Sequence, residues 1–535
     1  MLKIIQQYRT AILFFILLLG FFLRAYNLDF PSIGYHNMME NEYLGMAQEM
    51  VKAGDLSSRR VYFRDAFDDG AIVKPYPNLP LVSYQILISW SVLGDNLWGP
   101  RLFNILFGIA GILLIYLISQ ILFADTVLSL SSALLLSMMP LGVFFSRNIQ
   151  PESPAFFFML LGSFFYLRFI ASSKIYNLFL GGLSFSIAWG YKFNFLFGVL
   201  PFLFCMPFKK IWEDRKGFLK FMSGLLIPYL AIVITIVWLK NAGQWRFLEN
   251  ARLWEILTPS YWDNHGQAVF HYLSEENFTP VFWILTLLGA ILAFLKGKSL
   301  LDKYIVGWAI TAFLYAMQLS QQLYQHGFSF MPFLVLVCLS SVYLVSFVAM
   351  TLRDLIKKDI FIYLMVILIG IASPFVFKSI FSMYATIFPG VDVAGATLRE
   401  LTKADERIFL LTHAQGQGIA RYAQRYTGWT SDLKDFKDLE DKFNIKYICI
   451  YPADLFWVLE RDSQQLYKYI QDNYHFKELG LQEESNQLVY LILEKGKGED
   501  FKAALQSVSG KIQQRAIYNL FGRYIFFSTV RLNTG

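Results

Sequence analysis

Residues 99–123 read GPRLFNILFGIAGILLIYLISQILF. After Arg101 this stretch carries no charged side chain. It therefore exceeds the about 20 apolar residues that a helix needs to cross the hydrocarbon core. Runs of the same kind recur at 11–27, 127–146, 153–171, 175–191, 193–208, 218–239, 280–296, 304–320, 328–349 and 360–382. They predict an α-helical polytopic membrane protein with about eleven transmembrane helices. The stretch 175–208 reads either as two short spans or as a broken pair.

Composition supports that reading. Apolar residues make up 56% of the chain and aromatics 18%, and mean hydropathy is +0.43. Charged residues amount to 16%, against about 25% in soluble domains, which is too little for a water-facing coat. The net charge of +7 does not point to nucleic acid, because the basic residues gather in short loops. Lys3 and Arg9 put the N-terminus in the cytoplasm. The next inside loops then hold Lys174; Lys209, Lys210, Arg215 and Lys216; Lys296, Lys298 and Lys303; and Arg353, Lys357 and Lys358. This is the positive-inside bias, and only the loop near Asp125 lacks a basic residue. The run Ala11–Leu23 is followed by Arg24, Ala25, Tyr26 and Asn27 rather than a small-residue cleavage site, so it reads as an uncleaved first span. Cys205, Cys338 and Cys449 form no disulfide framework or zinc spacing.

With this topology three large pieces fall outside the cytoplasm: 28–98, the Trp- and Tyr-rich 241–279, and everything after about Phe388. Residues 1–388 form the transmembrane domain and 389–500 a small extracytoplasmic α/β domain. Strands are predicted at Arg407–His413, Lys446–Tyr451 and Gln487–Glu494, and helices at Gly418–Tyr426, Leu433–Phe443 and Leu455–Tyr474. His413 and Gly416–Gly418 resemble a phosphate loop only faintly, and a plain strand-to-helix turn is the simpler reading. The tail 501–535 mixes Arg515, Arg523 and Arg531 with Tyr518, Phe521, Tyr524 and Phe526. It lies on a membrane surface or packs on the domain; the sequence leaves both open.

The first outer loop holds the chemistry. From Phe30 to Tyr43 the chain leads into a helical pattern in which Met39, Tyr43, Met46 and Met50 share one stripe, and Glu42, Glu49 and Lys52 another. Glu40 falls with Leu44, Ala47 and Val51 on a packed side. Glu42, about 200° around the helix, points toward water. A carboxylate among apolar neighbours needs a partner or a task, although an acid in a first helical turn also serves the helix dipole.

Here the sequence resembles a family. Tyr43 to Leu56 is similar to the first-loop helix of the protein O-mannosyltransferase and aminoarabinose-transferase branch of the GT-C glycosyltransferases. Lys74-Pro75 with Pro80-Leu81 and Tyr84 resembles that family's Lys-Pro-Pro-Leu-Tyr-Tyr segment. Trp98 to Leu102 resembles the Ala-Arg-Leu opening its second span. Ser146-Arg147 with Pro151-Glu152 resembles its Ser-Arg…Pro-Asp loop, and Trp189 to Lys192 its Thr-Lys-Gly turn. The resemblance implies a GT-C fold and a membrane enzyme that moves a sugar from a polyprenyl-phosphate carrier to a hydroxyl of a protein, lipid or glycan acceptor on the outer face. An acceptor hydroxyl needs a carboxylate base, and a phosphate leaving group needs cations. The implied catalytic carboxylates are Glu40, Glu42 and Asp69, with Glu40 favoured. Lys74, Arg147, Lys192 and His326 are the donor-phosphate candidates, and His36, Asn37, Tyr43, Arg101 and Glu152 the supporting residues. The family's Asp-Glu pair falls on Met39 and Glu40, so Glu40 takes the base role. The acidic residue before its Lys-Pro falls on Val73, with Asp68 and Asp69 just upstream.

Each assignment has a plainer alternative. Arg147 and Lys192 also fit snorkelling to the interface. Glu152 fits pairing with Arg147 or capping the fourth span, and His326 fits an ordinary interfacial histidine. His265 and His271 have no third ligand nearby; no metal site is assigned, and a divalent ion is left open as a cofactor. The rival functions are a transporter, disfavoured by the lack of paired halves, and a non-catalytic scaffold. The topology predicts that cysteines placed at Ser57 and Ser485 react with a membrane-impermeant thiol reagent on intact cells with any outer envelope permeabilised. Labelling only after lysis would refute it.

Overall fold

The computed structural model describes residues 2–63, 79–208, 211, 215–241, 254–357, 360–506 and 511–532. The chain divides into two compact units, Met1–Leu28, Lys74–Val82 and Trp98–Met383 in one, and Asp29–Val73, Ser83–Leu97 and Tyr384–Gly535 in the other.

The first unit is helical. Among the described residues seven helices are long and apolar enough to cross a bilayer: Trp98–Phe123, Glu152–Ser172, Phe218–Val237, Thr279–Lys296, Leu300–Gln318, Gly327–Ile356 and Phe361–Ala385. The remaining predicted spans correspond to shorter pieces. Arg9–Arg24 is a 16-residue helix and Ile175–Tyr191 a 17-residue one. The predicted span 127–146 breaks into Thr126–Met138 and Pro140–Phe145, since Pro140 has no N–H to continue the ladder. After Lys192 the backbone becomes a 3-10 segment, Phe193–Val199, and a four-residue helix, Phe202–Cys205, so 175–208 is the broken pair.

Local sequence sets these boundaries. Asp125 caps Thr126–Met138 by accepting from the backbone N–H groups of Val127 and Leu128, and Ser299 with Asp302 forms a capping box on Leu300–Gln318. The outward faces are apolar: Phe14, Phe15 and Phe22 on one helix and Val366, Ile367 and Ile371 on another are all more than half exposed. Water would not tolerate so wide an apolar surface, and lipid does. Arg24 is only 1% exposed. It donates to the carbonyls of Gly20 (2.9 Å), Ser137 (3.0 Å) and Leu136 (3.4 Å), the internal satisfaction that a charge at membrane depth demands. The chain is an integral membrane protein.

The second unit is built on a seven-stranded sheet. In chain order the strands are β1 (Ile408–Thr412), β2 (Thr427–Gly428), β3 (Tyr447–Tyr451), β4 (Tyr474–Gln482), β5 (Gln487–Lys495), β6 (Lys511–Leu520) and β7 (Arg523–Arg531). Their spatial order is β2-β1-β3-β5-β4-β7-β6. The pairs β2–β1 and β1–β3 are parallel and all others antiparallel. Alternation along β3 sends Ile448 and Ile450 to one core, with Phe436, Phe456 and Ile470, and Cys449 and Tyr451 to the other, with Leu398, Ile419 and Phe527.

Two sequence boundaries shift. The tail does not stop at the domain edge: β6 and β7 form a hairpin, β7 pairs with β4, and Arg531 Nε donates to the buried Glu478 at 2.7 Å. The stretch predicted as one helix to Tyr474 is two, Leu455–Asp462 and Gln464–Asn473, with Tyr474 already opening β4. The first outer loop also belongs to this unit. Ile33 and Tyr62 join the Ile419 and Phe527 core. Phe388 N–H donates to Ile33 O, and Thr427 N–H to Tyr62 O, both at 2.8 Å.

Candidate functional site

Two groups of predicted residues are described, one in each unit.

In the sheet-containing unit the first-loop helix runs Asn37–Ala53. His36 precedes it with φ +55°, in the left-handed region that few non-glycine residues adopt. Its ring lies 4.2 Å from that of Tyr35. Gly54, φ +63°, ends the helix with its N–H on Met50 O and Val51 O. Met46 and Met50 pack with Val61, Tyr84 and Leu87, as the apolar stripe requires. Tyr43 is buried, and its carbonyl accepts from the Ser83 hydroxyl at 3.3 Å.

Glu40 is 4% exposed in the first turn. The Ser32 hydroxyl donates to its Oε2 at 2.7 Å. Ser32 is held in turn: its carbonyl accepts from Asn37 Nδ2 at 3.2 Å and from Asn41 Nδ2 at 2.8 Å. Asn37 Nδ2 also donates to Gln415 Oε1 at 2.9 Å, and Arg421 Nε donates to Asn41 Oδ1 at 2.6 Å. Gln415 and Arg421 belong to the helix Gly416–Ala423 and its N-cap. A Cβ on Gly418 would stand 2.6 Å from Val391 and 3.3 Å from Asn41 Nδ2. Close packing on this helix therefore explains the glycine without any phosphate loop.

The polar stripe needs correction. Glu42 is half-buried rather than turned to water, and Glu49 is buried at 3% exposure. The Tyr426 hydroxyl donates to Glu49, and Lys52 lies 3.6 Å from it. Burial and then Glu49 push the Tyr426 phenol up to about 12. Asp69 and Lys74 lie outside the described residues.

In the helical unit Arg101 and Arg147 meet at the end of the first helix. Arg101 is buried and donates to Leu28 O at 2.6 Å. Arg147 is 7% exposed and donates to Tyr26 O at 3.0 Å and Asn27 O at 2.5 Å. Neither snorkels. Glu152, the first residue of its helix and 1% exposed, pairs with Lys192 rather than Arg147. Lys192 lies 3.9 Å from the Phe328 ring centre, and the His326 ring stacks on Phe328 with centres 4.9 Å apart. Burial and the Lys192 charge push His326 down to about 4. It is neutral at physiological pH and offers one N–H and one lone pair. Near this cluster Asn194 Nδ2 donates to the Tyr315 hydroxyl at 2.8 Å, which donates to Ser329 O at 2.9 Å. Among the described residues, the buried Glu152 Oε2 and Asn194 Oδ1 have no hydrogen-bond donor.

Solved structures share this architecture. ArnT from Cupriavidus metallidurans bound to undecaprenyl phosphate aligns with TM-score 0.53 at 12% identity, covering 91% of this chain and 98% of that one. The Archaeoglobus fulgidus oligosaccharyltransferase aligns with TM-score 0.59 at 12% identity, over 90% of this chain and 72% of that one. The fold is that of the GT-C glycosyltransferases. In sequence, residues 74–239 match the family described as dolichyl-phosphate-mannose-protein mannosyltransferase. The chain is also similar to the undecaprenyl phosphate-alpha-4-amino-4-deoxy-L-arabinose arabinosyl transferase 2 of Pseudomonas fluorescens, 28% identical over 43% of this chain and 39% of the relative. The corresponding Pseudomonas aeruginosa transferase is 26% identical over 39% of this chain and 37% of its own. These matches thus span about two fifths of the curated relatives' length.

Ser32, Asn41, Glu49, Gln415, Arg421 and Tyr426 are the residues that sequence reading missed. Ser32 had a signal, a hydroxyl just before an acidic helix start. Arg421 had none, being 380 positions from Asn41.

The pairing of Glu152 has a measurable consequence. Lys192→Met leaves a buried carboxylate uncompensated and is expected to destabilise the protein by about 3–5 kcal/mol in thermal unfolding. Adding Glu152→Leu should restore most of that loss. Equal stability of wild type and Lys192→Met would mean that the pair is not formed.

Proposed function

We propose that the protein is an inner-membrane glycosyltransferase that moves a sugar from a polyprenyl-phosphate carrier to an acceptor hydroxyl on the outer face of the membrane, with Glu40 as base. One observation carries the reading. On a GT-C fold, in the helix that resembles the family's first-loop helix, Glu40 is buried and receives the Ser32 hydroxyl. The relatives support the donor class, since those from Pseudomonas are named as undecaprenyl-phosphate aminoarabinosyl transferases.

Chemically, the acceptor hydroxyl loses its proton to Glu40 as it attacks the anomeric carbon. The bond from that carbon to the carrier phosphate breaks, and the phosphate leaves with the electron pair. An ionised Glu40 carboxylate is an acceptor that can take a proton from a bound hydroxyl. A phosphate leaving group calls for a charge-assisted donor, the chemistry that Lys192 and the N–H of the neutral His326 offer within the helical unit. Arg147 commits two donors to the backbone at Tyr26 and Asn27. In this reading it braces the end of the first helix as much as it contributes field. The sugar is the pentose or hexose of the carrier, and the acceptor a protein, lipid or glycan.

The test is turnover. Glu40→Gln keeps shape and most hydrogen bonding, so it should fold normally, bind donor near normally, and lose at least about 10²-fold in the rate of carrier-phosphate release. Glu42→Gln should retain most activity. Full activity in Glu40→Gln would remove Glu40 from the chemistry.

A further inference from the structure

The base reading leaves open why a soluble sheet domain accompanies the first-loop helix. Three hydrogen-bonded links tie the two, all within one compact unit. The first is Gln415 Oε1 to Asn37 Nδ2 at 2.9 Å. The second is Arg421 Nε to Asn41 Oδ1 at 2.6 Å. The third is the Ser32 N–H to the Tyr422 hydroxyl at 2.9 Å. All three lead to Ser32, whose hydroxyl touches Glu40.

The chemistry of the partners fixes a direction. Arginine has donors and no acceptor, so the Asn41 atom facing it must be the amide oxygen. That leaves the Asn41 NH2 group turned to Ser32 O. Gln415 presents its oxygen to Asn37 and so turns the Asn37 NH2 group toward the same carbonyl. With its carbonyl doubly held and its N–H on Tyr422, the Ser32 residue has one backbone setting, and its hydroxyl is aimed at Oε2 of Glu40. Arg421 is itself 7% exposed and lies 3.8 Å from the Tyr422 ring centre. Burying a guanidinium costs more than a neutral side chain would. Its charge faces the Asp392 carboxylate, and its Nε is committed to orienting Asn41.

We propose that the sheet domain is a positioning element of the active site, with Arg421 and Gln415 acting through Asn41, Asn37 and Ser32 to set the geometry of Glu40. This rests on Glu40 being the base. Arg421 and Gln415 are positioning residues and not catalytic ones, because neither touches Glu40 in the bonds described.

The experiment measures turnover of the purified full-length protein with a radiolabelled polyprenyl-phosphate sugar. Arg421→Met should lower kcat about tenfold or more with donor KM changed by less than about twofold. Arg421→Lys, which keeps a cationic donor, should recover part of that loss. Gln415→Leu, which leaves Arg421 in place, should lower kcat in the same selective way, and it keeps the proposal testable if Arg421→Met does not fold. In a double-mutant cycle, Ser32→Ala with Arg421→Met should lose less than the product of the two single effects, because both act through one route. Multiplying effects, or wild-type kcat in the folded Arg421→Met and Gln415→Leu variants while Glu40→Gln is inactive, would overturn positioning alone. Full activity in Glu40→Gln would overturn the base reading and the positioning with it.

Discussion

Ser32 is the point on which the outer part of the molecule turns. Its carbonyl receives two asparagine amides from the helix it precedes, and its hydroxyl is spent on a buried carboxylate. A hydroxyl donated to a charged acceptor in a poorly solvated place is worth more than the same bond in water. Asn37 and Asn41, which hold its carbonyl, are buried with it. Remove that anchor and Glu40 becomes a carboxylate in an apolar helix turn with one partner fewer, which is a costly state.

The helical unit obeys the same rule on a larger scale. Lipid offers nothing to a stray polar group, so its buried charges are committed to protein. Arg24 and Arg101 close on backbone carbonyls, as does Arg147. Lys192 closes on Glu152. These bonds fix the end of the first helix and the loop from Ser146 to Pro151. Against that background the incomplete pairing of Glu152 Oε2 and Asn194 Oδ1 stands out, and it lies beside the one predicted phosphate cluster that the described residues hold together.

What could be read from sequence follows from range. Apolar runs report on burial in lipid through local composition, so the long helices were legible, while the break at Pro140 needed attention to one missing N–H. The central strands β1, β3 and β5 were legible because each is a short apolar run. The hairpin of β6 and β7 was not, because Arg515, Arg523 and Arg531 interrupt its alternation and the partners of Arg515 and Arg531, Glu400 and Glu478, are remote. In the site, helix phase was enough to bury Glu40. It failed for Glu49, whose partner Tyr426 is 377 positions away, and Glu152, read as pairing with Arg147 or capping its helix, pairs with Lys192 instead. A single chain records no such pairing until it folds.

The most direct measurement is incubation of the purified protein, in lipid, with a panel of radiolabelled polyprenyl-phosphate sugars. The expected result is protein-dependent release of carrier phosphate, or movement of label to an acceptor, with at least one member of the panel. A folded preparation that leaves every donor intact would contradict the assignment of this chain as a polyprenyl-phosphate-dependent glycosyltransferase.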